Sequence, residues 1–191
     1  MKTHLPCLLL AAFFALPATA ADLDLPTLMT MLAAVPSAKD NFVESKRSAM
    51  LSAPLVLKGT LLYVRPDRLE KQVLSPYEEN TVIAGGAVSI DNRTLKQKRN
   101  FSLSSSSAVT VLIEGMRATL AGDTTALERH YAIRLEGSQQ SWLMTLTPRD
   151  EKLAALVTRI RIAGVRERLK RIEIDESSGD QSAMLIGPEA P

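Results

Sequence analysis

Cysteine is almost missing from this chain: Cys7 is the only one, and it lies within the first twenty residues. Past that point there is no thiol for a disulfide, a thiolate metal site or thiol catalysis. Histidine is nearly as scarce. His4 and His130 are the only two, and a single imidazole cannot build a His-rich metal site. Aromatic residues make up 4% of the chain. After the first twenty residues they reduce to Phe42, Phe101, Tyr63, Tyr77, Tyr131 and Trp142, so apolar surface must come mainly from Leu, Val, Ile and Met. A dominant charge is also lacking. Lys and Arg number 23 against 21 Asp and Glu, which points to neither nucleic acid nor a strongly anionic surface as partner.

Catalytic signatures are missing too. There is no G-x-S-x-G elbow, no H-E-x-x-H, no phosphate loop with its lysine and no C-x-x-C. Ser104 to Ser107 form a hydroxyl cluster without a second histidine to order a triad, and read as a turn and helix entry. Glu78-Glu79 and Asp175-Glu176 fall in turns or at strand ends. They could serve as a glycosidase pair only if folding brought two carboxylates to one cleft. The sequence therefore predicts a protein that is not an enzyme and that needs no metal or cofactor.

What is present begins at the N-terminus. Lys2 and His4 precede an apolar run from Leu5 to Leu16, Pro17 breaks it, and Ala18-Thr19-Ala20 places small residues where a signal peptidase reads. This is the pattern of a secretory signal peptide, residues 1–20, cut between Ala20 and Ala21. About a dozen apolar residues are too few to span a bilayer core of about 30 Å. Cys7 sits at the start of that run rather than its end, a poor site for acylation. Cleavage leaves 171 of the 191 residues, 21–191, enough for one domain with one core. No later apolar run approaches 18 residues.

Along this domain, Leu25, Leu28, Met29, Leu32 and Val35 recur at helical spacing. Asp24 reads as the N-cap, Pro26 falls in the first turn and Pro36 closes the segment, predicting a helix over 24–35. Strands are expected over 42–51, 54–64 with Gly59 as a bulge or bend, 68–74, 81–84, 87–91 and 95–103. Gly85-Gly86 reads as a hairpin turn. A second helix is expected over 108–120 and a short third over 124–129, capped by Asp123, with one or two helical turns in 149–156. Alternation then predicts strands around Tyr131–Leu135, Trp142–Leu146, 157–162, 169–174 and 182–186. Roughly ten strands with about three helices inserted give an α+β domain on one large antiparallel sheet.

Within it, Gly59-Thr60-Leu61-Leu62-Tyr63-Val64-Arg65-Pro66 leads into the Ser75-Pro76-Tyr77-Glu78 turn, after an opening helix over Asp22 to Val35. This order of helix, long strand ending in Arg-Pro, strand, Ser-Pro-x-Glu turn and glycine hairpin resembles the LolA family of periplasmic outer-membrane lipoprotein carriers. The likeness runs from Leu25 to about Ile186. It implies a strongly curved antiparallel sheet, an incomplete barrel, with a lid of about three α-helices over its concave face. It implies a periplasmic location, an inner-membrane donor and an outer-membrane acceptor, a monomer, and no nucleic acid. Arg65 matches the family arginine that hydrogen-bonds to the lid and gates the cavity; from the residues alone it reads as a strand-end charge in solvent, and only the resemblance favours the gate.

If Arg65 points inward, strand parity turns Leu61 and Tyr63 inward as well, and Leu69, Lys71 and Val73 share one face of the next strand. The candidate cavity and lid residues are thus Leu28, Leu32, Leu61, Tyr63, Leu69, Val73, Leu112, Met116, Leu120, Trp142 and Met144, with Arg65 as gate. Lys71 would either meet a ligand headgroup near the mouth or reach out to solvent. The family's cavity is rich in aromatic residues and this chain is not. Its cargo is left open between a lipoprotein and another lipid, such as the polyene or acyl product of a biosynthetic pathway. A sensor or interaction module that binds a lipidated or peptide signal on the same curved sheet is the second reading.

Overall fold

In a computed structural model of the chain, the residues described are 23–103 and 108–187. The expected signal peptide over 1–20 and the turn and helix entry expected over 104–107 lie outside them. The chain is an α+β domain: eleven strands in a single antiparallel sheet, with four helices among the described residues. The first strands are β1 (Ser37–Arg47), β2 (Leu55–Val64), β3 (Arg68–Ser75), β4 (Glu79–Ala84), β5 (Ala87–Asn92) and β6 (Gln97–Ser102). After the helices come β7 (Tyr131–Ser138), β8 (Ser141–Pro148), β9 (Val157–Val165), β10 (Arg168–Glu176) and β11 (Gln181–Ile186).

Each half is a meander, and β11 returns to pair with β1. The order across the sheet is β6-β5-β4-β3-β2-β1-β11-β10-β9-β8-β7. Strands β6 and β7 stay at the edges, so the sheet is not closed into a barrel.

Local chemistry accounts for the main elements. Helix α1 (Leu25–Ala33) is capped where Asp24 Oδ1 accepts from Thr27 N–H at 2.8 Å, and Pro26 occupies the first turn, where no N–H is needed. Helix α2 (Ala108–Ala121) is followed by α3 (Thr124–His130), whose Asp123 cap accepts from Ala126 N–H at 2.9 Å. Short α4 (Glu151–Ala154) is capped by Asp150. Gly85 and Gly86, both at positive φ, turn β4 into β5 as their spacing predicts. Asp67 Oδ2 accepts from Gly85 N–H at 2.9 Å and ties the β2–β3 turn to that hairpin.

The strand boundaries differ from the sequence expectation mainly in β1. It starts at Ser37, five residues before Phe42, and ends at Arg47 rather than Leu51. The polar stretch Ser37–Asn41 carries no apolar alternation, yet its backbone pairs with Val64 through Thr60 of β2. The fourth helix is a single element inside the 149–156 segment.

The core lies on one half of the concave face. Leu28, Met29 and Leu32 of α1, Ala118 of α2, Leu127 of α3 and Leu153 of α4 are buried against Tyr131, Trp142, Met144, Leu146, Ile160 and Ile162 of β7, β8 and β9. The opposite face of β9 and β10 is polar, with Arg159 on Asp175 at 2.7 Å and Arg161 on Glu173 at 2.8 Å. Gly115 of α2 rests on the ring of Tyr131, whose hydroxyl donates to the Val111 carbonyl at 3.3 Å. Burial pushes that phenol up to about 12. The helices are therefore seated on β7–β9, while β1–β4 lie under their other flank.

Candidate ligand-binding cavity

Between that flank and the sheet lies a cavity of about 690 Å³. Its size is within the range of small-molecule sites, about 300–1,000 Å³. The roof comes from the end of α1 (Leu32, Ala34, Val35) and from Ile113, Met116 and Leu120 of α2. The floor comes from in-facing residues of two sheet regions: Leu61, Tyr63, Leu69 and Ile83 on β2–β4, and Ile172, Ile174, Met184 and Ile186 on β10 and β11. Lys39, Asp40, Glu167 and Arg168 add a charged rim near the Ser37–Val64 strand ends. The walls are aliphatic, as the low aromatic content implied.

Parity explains which residues arrive here. Asp40 faces Leu61, Leu61 faces Lys71 and Lys71 faces Thr81, so one inward row crosses β1 to β4. The next row toward the lid is Tyr63, Leu69 and Ile83. In the other direction Gly59 lies between Phe42 and Val73. Having no side chain there, Gly59 lets the Phe42 ring lie over it, within 3.0 Å of where a Cβ would stand. Phe42, Val73 and Leu57 close into a small second core at that point.

A polar group is built into the wall beside this second core. Glu44 is 4% exposed. One of its carboxylate oxygens, Oε2, accepts from the Lys71 ammonium, and Oε1 accepts from the Ser182 hydroxyl at 2.6 Å. Lys46 is a further cation at 3.7 Å. The Lys71 ammonium also lies 5.1 Å from the centre of the Phe42 ring, over which its side chain passes to reach Glu44. The two partners are unequally served. Burial raises the Glu44 pKa, but Lys71, Ser182 and Lys46 together outweigh it and hold the carboxyl below its usual value. For Lys71, burial is the largest influence and pulls the ammonium down, and Glu44 recovers only part of the loss.

Arg65 stands at the other end of β2. Its guanidinium donates to the carbonyl of Ala33, the last residue of α1, and its backbone N–H donates to Pro36 at 3.0 Å. The carbonyl at the end of a helix carries partial negative charge and lacks an intrahelical partner. A cation there fastens the helix end to the strand. The Tyr63 hydroxyl, on the same face as Arg65, is buried with no hydrogen-bond partner among the described residues. Burial raises its pKa while Arg65 and Arg117 oppose the rise.

Of the residues picked from sequence, Leu32, Leu61, Tyr63, Leu69, Lys71, Met116 and Leu120 line the cavity. Five do not. Leu28, Trp142 and Met144 are sealed in the core beneath the helices, and Leu112 packs against that core. The Trp142 indole N–H is committed to the Arg166 carbonyl at 2.8 Å. Val73 faces inward but is covered by Phe42 and Leu57. Periodicity found the right face of each element; it could not distinguish the filled half of the sheet from the hollow half. Glu44 and Ser182 were missed. Glu44 shares strand parity with Phe42, which was the available signal.

Among the described residues no helix is long and apolar enough to cross a membrane, and no group of three potential metal ligands occurs. Residues 17–190 match the family described as outer membrane lipoprotein carrier protein LolA-like. Similar solved structures include a LolA superfamily protein from Nitrosomonas europaea, at 13% identity and TM-score 0.47, covering 85% of this chain and 89% of that one. The Pseudomonas aeruginosa MucA/MucB complex matches at 12% identity and TM-score 0.47, over 88% of this chain and 59% of that one. A putative outer membrane lipoprotein-sorting protein domain from Vibrio parahaemolyticus matches at 9% identity and TM-score 0.42, covering 85% and 88%. No curated protein matches the sequence.

Proposed function

The chain belongs to the LolA-like outer membrane lipoprotein carrier family, and from that premise we propose that it is a periplasmic, non-catalytic lipid carrier. After removal of residues 1–20 it works as a monomer, receiving the acyl part of its cargo from an inner-membrane donor and delivering it to an outer-membrane acceptor. The observation that carries this reading is the aliphatic cavity between α1, α2 and β1–β4. Each acyl methylene taken out of water contributes about 0.8 kcal/mol, so apolar walls of this kind suffice to hold a chain. Release then requires the walls to part.

The helices supply a route to such parting. They are packed on β7–β9, whereas the α1 end over the cavity is fastened to β2 through Arg65. That bond favours the closed, empty form, and a ligand must compete with it. Replacing Arg65 by leucine is expected to let a fluorescent fatty acid enter more readily and to slow its release. The release rate should drop by up to about tenfold, the equivalent of one charge-assisted hydrogen bond. Stopped-flow fluorescence measures both rates. Unchanged rates in Arg65→Leu would return Arg65 to a strand-end charge, and a wild-type protein that takes up no fatty acid would remove the carrier reading itself.

A further inference from the structure

A cavity meant only for hydrocarbon has no use for an ammonium group in its wall. Lys71 nevertheless lines it, together with Glu44 and Ser182. Burying such a group costs free energy unless its hydrogen-bonding capacity is met. Glu44 is fully engaged: one oxygen is taken by Ser182 and approached by Lys46, the other is taken by Lys71. Lys71 has three N–H donors, and among the described residues Glu44 is the acceptor it bonds. The side chain is 28% exposed, and it is in the wall of the cavity. The spare capacity of this site is thus donor capacity on a cation.

Glu44 is opposed by both Lys71 and Lys46. The other acid near Lys71, Glu79, accepts from the Asn92 amide at 3.0 Å. Glu79 is a second negative charge near Lys71, so the two lysines and two acids match in number, and what Lys71 lacks is acceptors for its remaining N–H groups. Burial leaves the Lys71 ammonium below its usual pKa even with Glu44 in place.

We propose that Lys71, held in place by Glu44 and Ser182, is the subsite for the carboxylate end of a single-chain fatty-acid-type ligand. The inference rests on the carrier reading and narrows its cargo. Glu44 lies seven residues along β1 from the Ser37–Val64 pair, roughly 23 Å by strand rise. With its carboxylate on Lys71, a chain would lie over Leu61, Leu69 and Met184 and extend under Leu32 and Met116, all of which line the cavity. A lipoprotein entering with its acyl tails would instead press methyl ends against a charge pair. The ligand class that uses the spare donors of Lys71 is an acyl chain carrying its own acid.

The test compares cis-parinaric acid with its methyl ester at neutral pH, by fluorescence titration of the whole mature protein. The wild type should bind the acid at least about tenfold more tightly than the ester, as a charge-assisted contact requires. In Glu44→Leu/Lys71→Met, which removes the pair without stranding a charge, that ratio should fall to about one. Lys71→Gln alone should lower the ratio in the same direction, and it serves if the double variant does not fold. Equal affinity of the wild type for acid and ester, or a ratio that persists in the variants, would overturn the subsite while leaving the carrier intact. A wild type that binds neither probe would instead defeat the carrier reading, and the subsite with it.

Discussion

Replacing Gly59 by alanine is expected to lower the unfolding free energy by about 3 kcal/mol, near the upper end of what overpacking costs. A Cβ at this position would stand 1.8 Å from the Gln72 carbonyl oxygen and 3.0 Å from the Phe42 ring. The first obstacle is backbone and cannot rotate aside. Relief would require β2 and β3 to separate at the point where their register already shifts, between Lys58 and Gly59. The small core of Phe42, Leu57 and Val73 would open with them. Urea denaturation checks this through a shifted midpoint at constant slope. Gly85→Ala is the comparison. Nothing lies within 4 Å of that Cβ, but φ is +56°, so its cost should be the conformational one alone, about 1–2 kcal/mol. Equal midpoints for the two variants would refute the close approach at Gly59.

Removing Glu44 alone has the second largest expected effect. Glu44→Leu leaves the Lys71 ammonium in the cavity wall without its acceptor and deprives the Ser182 hydroxyl of its partner. Breaking one side of a buried pair costs about 3–5 kcal/mol. Lys71 is 28% exposed and can turn partly toward water, so the lower end, about 3 kcal/mol, is expected. The Glu44→Leu/Lys71→Met double variant should recover most of that loss, because the stranded charge is gone. A double variant as unstable as the single one would mean that packing, and not charge, sets the cost.

The same pair makes stability depend on pH with a definite sign. The folded-state pKa of Glu44 lies below its usual value of 4.5. The folded protein therefore binds this proton less readily than the unfolded chain does. The contribution of Glu44 is fully present above the unfolded-state value and is lost as pH falls through the folded one. Wild-type stability should decline more steeply on acidification below about pH 5 than that of the double variant.

Much of the fold was legible because local chemistry and tertiary structure agree. The Asp24 cap with Pro26, the glycine pair at 85–86 and the alternation in β7, β8 and β9 each describe the element that forms there. Gly59 inside a strand pattern marks a bulge or bend, and the β2–β3 register shifts beside it. Polar Ser37–Asn41 carries no strand signal of its own, since its conformation is dictated by β2 and not by its side chains. The parity that groups Leu61 with Tyr63 and Leu69 with Lys71 also holds in the cavity wall.

What escaped was whatever depends on distant partners. Trp142 and Met144 face inward like Leu61, but the helices pack directly on β7–β9 and leave a cavity between themselves and β1–β4, a choice no periodicity records. Ser182 meets Glu44 across 138 residues of sequence because β11 closes onto β1. The polar site therefore appears only when the two meanders are joined. Once joined, it supplies the Glu44–Lys71–Ser182 cluster on which the proposed carboxylate subsite rests.

The most direct measurement of the carrier account is native mass spectrometry of the protein purified from periplasm, followed by organic extraction of what it holds. The account predicts a co-purified acyl species of defined mass, one per protein chain, released on denaturation. Protein that is reproducibly empty, and that fails to take up a fluorescent fatty acid afterwards, would contradict it.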